Sequence, residues 1–80
     1  MKSINIKPVL DLPATGARIR TLMEMNGITV RALQNIFKTP YPQSIYNWLS
    51  GKNMPSIDNL VILSEVFDIP MDEIVVVTKE

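Results

Sequence analysis

Apolar positions recur every three or four residues along most of this chain, in blocks separated by glycine, proline and polar clusters. Ile19, Leu22 and Met23 follow i, i+3, i+4 spacing while Arg20, Thr21 and Glu24 point elsewhere, which predicts an amphipathic helix near 14–26. Pro13 and Thr15 stand at its start and Asn26-Gly27 at its end, with Gly27 as a left-handed cap and Ile28 folding back on the last turn. Thr29 is a good N-cap for a second helix, in which Val30, Leu33 and Phe37 share one face and Ile36 lies beside them. Thr39-Pro40-Tyr41-Pro42 must end that helix, since two prolines cannot continue it. Pro42 also suits the first position of a third helix, where a missing N–H costs nothing. At roughly 100° per residue, Ile45, Trp48 and Leu49 share one face of this short helix, and Gln43, Tyr46, Asn47 and Ser50 the opposite one. Gly51 stops it. Ser56 then caps a fourth helix whose main stripe is Ile57, Leu60, Val61, Leu63 and Phe67, with Ile62 and Val66 turned nearly the other way. Asp68 ends it, and Pro70 opens a last short helix to Ile74.

The two ends carry a different period. Ile4 and Ile6 alternate with Asn5 and Lys7 ahead of Pro8, and Ile74-Val75-Val76-Val77-Thr78 is rich in β-branched residues. Pairing of residues near Ile4 to Lys7 with residues near Ile74 to Thr78 is therefore expected. A lone two-stranded ribbon is marginal in water, so it needs an apolar bed, and Ile62 and Val66 are the expected one. No internal repeat or low-complexity segment interrupts the series.

Composition narrows the function classes. The chain has 80 residues, 46% of them apolar, which fits a single domain with a small core. It contains no Cys and no His, so disulfides, thiol nucleophiles, most transition-metal sites and Ser-His catalysis are out of reach. Asp72 and Glu73 are neighbours and diverge around a helix, so they do not form a converging carboxylate pair. Gly16, Gly27 and Gly51 are isolated, and no phosphate-cradling loop is present. The longest apolar runs, Leu60–Leu63 and Ile74–Val77, are far short of the roughly 20 residues that span a bilayer, and no signal-peptide stretch follows Met1-Lys2. These features predict a cytoplasmic protein that is not an enzyme and takes no cofactor, metal, membrane or small-molecule substrate.

Charge adds an asymmetry. Lys plus Arg and Asp plus Glu each number 8, for a formal charge of zero. Through Asn53, however, seven cations stand against two anions, a net +5, and from Met54 onward one cation against six anions leaves −5. A basic front and an acidic back can steer an anionic partner although the total vanishes.

The order of motifs gives a more specific reading. Gly16-Ala17-Arg18-Ile19-Arg20-Thr21-Leu22, then Gly27-Ile28-Thr29, Leu33 and Ile36-Phe37, lead into Ile45-Tyr46-Asn47-Trp48-Leu49-Ser50-Gly51-Lys52. Pro55-Ser56-Ile57-Asp58-Asn59-Leu60 and Ile69-Pro70-Met71-Asp72-Glu73-Ile74 complete the series. Across about 14–75 this resembles the phage-repressor (Cro/repressor, xenobiotic-response-element) family of helix-turn-helix DNA-binding domains. The resemblance implies an all-α, five-helix repressor-like domain over 1–80, with terminal extensions 1–13 and 76–80 and a small two-stranded sheet. It departs from the family in three places. The connection before the third helix has an extra residue, and Lys38 stands at the usual turn glycine. Val30 replaces a common phosphate-binding Gln. Met23 and Leu49 stand where the family often pairs an Arg with a Glu. Loss of both charges together is far less costly than loss of one, so Met23 and Leu49 are expected to touch.

The resemblance also implies roles. The third helix, about 42–50, would lie in the major groove of double-stranded DNA, with Gln43, Asn47 and Tyr46 as base readers. Tyr46 has alternatives: a sugar, a thymine methyl or a phosphate. Arg31, Tyr41, Ser44, Lys52 and Ser56 are the expected phosphate contacts, Ser56 also being a helix cap. Trp48 is expected in the core. The chain would then be a transcriptional regulator, a repressor-type homodimer that acts by occupying its site. The alternative is a protein-interaction module on the same fold, such as an antitoxin or accessory factor, with weak or no DNA binding.

Overall fold

Asp11 decides where the first helix begins. In the computed structural model, which describes residues 8–79, its carboxylate Oδ1 accepts a hydrogen bond from the Ala14 N–H at 2.9 Å. That cap starts α1 (Leu12–Met25) two residues ahead of the expected point, with Pro13 in the first turn, where no N–H is needed. The far end closes as expected: the Gly27 N–H donates to the Glu24 carbonyl at 3.2 Å and the Ile28 N–H to that of Met23 at 2.8 Å. Thr29 caps α2 (Val30–Phe37), its Oγ1 accepting from the Ala32 N–H at 3.0 Å. Pro42 is the N-cap of α3 (Gln43–Ser50) rather than its first helical residue. Ser56 caps α4 (Ile57–Phe67), its Oγ accepting from the Asn59 N–H at 3.2 Å. The expected fifth helix is a single 3-10 turn, Met71–Glu73, because the β-branched residues after Ile74 do not propagate a helix. The described residues thus hold four α-helices.

Every one of these helices feeds one core. Ile19, Leu33, Ile45, Leu63 and Ile74 are fully buried, joined by Leu22, Met23, Trp48, Leu49, Leu60 and Phe67. Trp48 packs edge-on against Phe37, with ring centroids 5.4 Å apart. The tightest junction is α1 on α3. A Cβ built on Gly16 would lie 2.4 Å from the Trp48 carbonyl oxygen and 2.6 Å from that of Leu49. Only a residue without a side chain allows the backbones this close. Two apolar residues of the expected α4 stripe lie outside, Ile57 and Val61, with Ile57 69% exposed, and Ile36 is exposed beside the buried face of α2. The buried arc of α4 centres on Leu60, Leu63 and Phe67, which leaves Ile57 and Val61 over its edge, while Val66 packs against the core.

The terminal ribbon forms, with a shifted register. β1 (Pro8–Leu10) pairs antiparallel with β2 (Val77–Lys79), Val9 opposite Thr78. The expected first strand, Ile4–Lys7, lies outside the described residues. Pro8 leads the strand, a position where its missing N–H is tolerated. Ile74 leaves the expected second strand for the core. Hydrogen bonds tie the ribbon to the start of α1. The Asp11 N–H donates to the Val76 carbonyl at 2.9 Å, and the buried Thr15 Oγ1 accepts from the Val76 N–H at 2.9 Å. Arg18 Nε donates to the Glu73 carbonyl at 2.9 Å and ties the preceding turn to the same helix.

Lys38 closes α2 in the left-handed region, at φ 55°, ψ 42°. An L-residue there costs about 1–2 kcal/mol, part of which a glycine returns as lost chain freedom. Lys38→Gly is expected to raise stability by roughly 1 kcal/mol, read as a higher urea midpoint at unchanged slope. A lower midpoint would show that the lysine side chain holds the turn.

Candidate nucleic-acid interface

Helix α3 is two-faced because its inner residues belong to the core. Ile45, Trp48 and Leu49 are buried, and this anchors the helix against α1 and Phe37. Its other side carries Gln43, Tyr46 and Ser50, all exposed, and the half-buried Asn47. Tyr46 keeps 49% of its surface in solvent. Gln43 Nε2 donates to Asn47 Oδ1 at 2.9 Å, one turn along the helix. The three expected base readers therefore share one surface. Ser44 sits on the flank, in a small recess with Thr39 and Asn59.

The turn before α3 is braced by side chains. Gln34 Nε2 donates to the Pro40 carbonyl at 3.3 Å, and Thr39 Oγ1 donates to the Tyr41 carbonyl at 3.1 Å. Between the two prolines, Tyr41 projects with 74% of its surface exposed. Beside this turn, Arg31, Gln34, Asn35, Thr39 and Pro40 line a polar cleft. Arg31 therefore stands next to the turn that leads into α3. Gln34 and Asn35 on α2, Thr39 in the turn and Asn59 on α4 line these two recesses and escaped sequence reasoning. Gln34 and Asn35 gave only the signal of polar residues on the solvent side of α2, and Thr39 and Asn59 gave none.

At the other end of α3, the Asn47 carbonyl gathers the chain. It accepts from the Lys52 N–H at 2.9 Å and from Ser50 Oγ at 3.2 Å, with Gly51 left-handed between them. Lys52 thus follows the last turn directly and is exposed. Ser56 differs from the rest. Its hydroxyl is engaged as the cap of α4, and it borders an apolar groove walled by Leu10, Met54, Ile57, Met71 and Val75. The cations Arg31, Lys38 and Lys52 all fall in the basic front of the chain, and the turn and α3 between them carry no acidic residue. A surface with amides in the middle and cations at the edges can hydrogen-bond base edges while holding phosphates.

Two helices joined by a braced turn, the second with a core-bound inner face and an amide-bearing outer one, define a helix-turn-helix protein. A family model described as helix-turn-helix matches residues 19–74, and the chain belongs to that family, the phage-repressor type of DNA-binding fold. It is a DNA-binding family and not a family of enzymes. Neither the curated proteins nor the solved structures gave a match. Among the described residues, no helix is long and apolar enough to cross a membrane.

Proposed function

We propose that this protein is a sequence-specific transcriptional regulator that lays α3 in the major groove of double-stranded DNA and acts as a two-fold dimer in the cytoplasm. The observation that carries this reading is the outer face of α3, where Gln43, Tyr46 and Asn47 stand together on a helix clamped from behind by Ile45, Trp48 and Leu49. Gln43 and Asn47 read bases, because an amide both donates and accepts. Tyr46 lies between them and the strand backbone. Arg31, Tyr41, Ser44, Lys52 and Ser56 hold phosphates, Lys52 as a point charge at the end of the helix. The regulator acts as a repressor, by occupying its site. Dimerisation draws on the exposed apolar residues Leu10, Ile57 and Met71.

The same apolar groove favours a second reading, in which the chain is an interaction module with weak DNA binding. Two substitutions separate the readings. On the best duplex, Asn47→Ala is expected to cost on the order of 1–3 kcal/mol and to change the preferred bases. Lys52→Ala is expected to weaken all duplexes alike and to lower the salt slope by about one unit. Equal losses for Asn47→Ala on matched and scrambled duplexes would mean that α3 does not read sequence. No effect of either variant on any duplex would favour the interaction module.

A further inference from the structure

The phase of the terminal ladder decides which backbone groups the ribbon leaves open. Strands β1 and β2 pair with Pro8 opposite Lys79, Val9 opposite Thr78 and Leu10 opposite Val77. One step further along the same register, the Asp11 N–H donates to the Val76 carbonyl at 2.9 Å. A bond between directly opposed residues marks a hydrogen-bonded pair, and such pairs alternate along an antiparallel ladder. Val9 and Thr78 are therefore the next bonded pair. The backbone groups of Pro8 and Leu10 turn away from β2, and those of Val77 and Lys79 turn away from β1. The two edges are not equivalent. On the β1 edge Pro8 has no N–H to offer, and α1 begins two residues after Leu10. On the β2 edge Val77 and Lys79 each present a donor and an acceptor. Val75 adds no donor there, because its N–H is spent on the Met71 carbonyl at 3.1 Å.

We propose that the β2 edge is the contact between two copies of this chain, joined by antiparallel pairing of β2 with β2 of the second copy about a two-fold axis at Thr78. This deepens the dimer of the reading above and rests on it. In that register Val77 faces Lys79 of the second copy and Lys79 faces its Val77, so every outward donor and acceptor on both β2 edges is used. Centring the pair on Val77 instead would oppose Lys79 to Val75, whose N–H is already engaged. A second copy is the occupant because the edge is its own complement, as an isologous contact requires. The product is a four-stranded sheet, whereas a two-stranded ribbon alone is marginal in water. On one face Val9, Thr78 and their counterparts form an unbroken row of β-branched side chains, all exposed in the single chain. The other face carries Leu10 and Val77, each about half exposed. Leu10 continues into the groove with Ile57 and Met71, so the apolar residues of the dimer border this sheet. Pairing also closes an edge that would otherwise invite aggregation.

The chain contains no cysteine, so single cysteines report the register directly. Thr78→Cys puts two thiols across the axis in a non-hydrogen-bonded pair, whose Cα atoms lie about 4.5 Å apart, within disulfide reach. Val77→Cys and its counterpart are offset along the strands and stand beyond the limit of roughly 7 Å. Ile57→Cys is an exposed control at the groove. Each full-length variant is oxidised in a glutathione buffer, with and without a mixed-sequence duplex, and covalent dimer is read on a non-reducing gel. Thr78→Cys should cross-link about 10-fold or more faster than Val77→Cys or Ile57→Cys. Val77→Pro removes one outward N–H and should shift the dimer to monomer in sedimentation equilibrium. Urea unfolding shows which variants stay folded, and the cysteine scan decides alone if Val77→Pro does not. Fastest cross-linking at Ile57→Cys would put the contact at the groove, and at Val77→Cys would centre it elsewhere. Either result overturns the Thr78 pairing. Equally slow cross-linking at all three positions, with and without DNA, overturns it too. Sequence-dependent duplex binding by the same protein would then leave the DNA reading standing. Fast cross-linking of Thr78→Cys in a protein that binds no duplex would keep the pairing and sink the DNA reading.

Discussion

Gly16→Ala is expected to destabilise this protein by on the order of 3 kcal/mol, although an alanine in a helix interior ordinarily gains about 1 kcal/mol over glycine. The reversal comes from packing. The new methyl would sit 2.4 and 2.6 Å from two backbone carbonyl oxygens of α3, and backbone cannot swing aside as a flexible side chain can. Relief requires α1 and α3 to move apart, which opens the contact that buries Ile19, Met23, Ile45 and Leu49. Gly16→Val should be worse. Equilibrium denaturation in urea reads both, and a stabilised Gly16→Ala would show that the helices do not pack as described. The damage should extend to DNA, since α3 takes its position from this seat.

A second large effect lies in the same core. Met23 on α1 and Leu49 on α3 are both buried, and they are the two positions that the resemblance pairs as an Arg and a Glu. Met23→Arg alone places a cation in an apolar core without a partner, and a loss of about 3–5 kcal/mol is expected. Adding Leu49→Glu supplies the partner, so the double variant should recover a large part of that loss. Leu49→Ala should cost roughly 2–5 kcal/mol through lost burial and the cavity it leaves. Thermal unfolding of the single and double charge variants decides the matter. Equal stability of the two would mean that residues 23 and 49 do not meet.

The helices were legible in the sequence because each carries its own local signals. Thr29 and Ser56 cap where expected, Gly27 and Gly51 terminate where expected, and the inner face of α3 is the one that its period assigns. Local rules were weaker where tertiary contacts decide. Ile57 and Val61 fit the stripe of α4, yet they lie outside because the buried arc is set by which side faces the other helices. Asp11 went unnoticed as a cap because Pro13 and Thr15 carried stronger start signals. The ribbon was expected from period-2 alternation and β-branching, but its register and footing depend on Thr15, a buried hydroxyl whose partner is 61 residues away. At the candidate interface, Gln43, Tyr46 and Asn47 were readable from helical spacing alone. The bond between Gln43 and Asn47 was not, since i, i+4 spacing permits contact between two amides without requiring it. The cleft beside Arg31 escaped for a similar reason: it exists only once the lengthened turn folds back on Gln34.

Selection of bound duplexes from a random pool tests most directly the proposal that α3 reads DNA sequence. Enrichment of a short motif is expected, repeated in inverted orientation with half-site centres about 34 Å apart, as a two-fold dimer requires. The enrichment should weaken when the selection is repeated with Asn47→Ala. A pool that emerges with no preferred sequence, from protein shown to be folded, would contradict it.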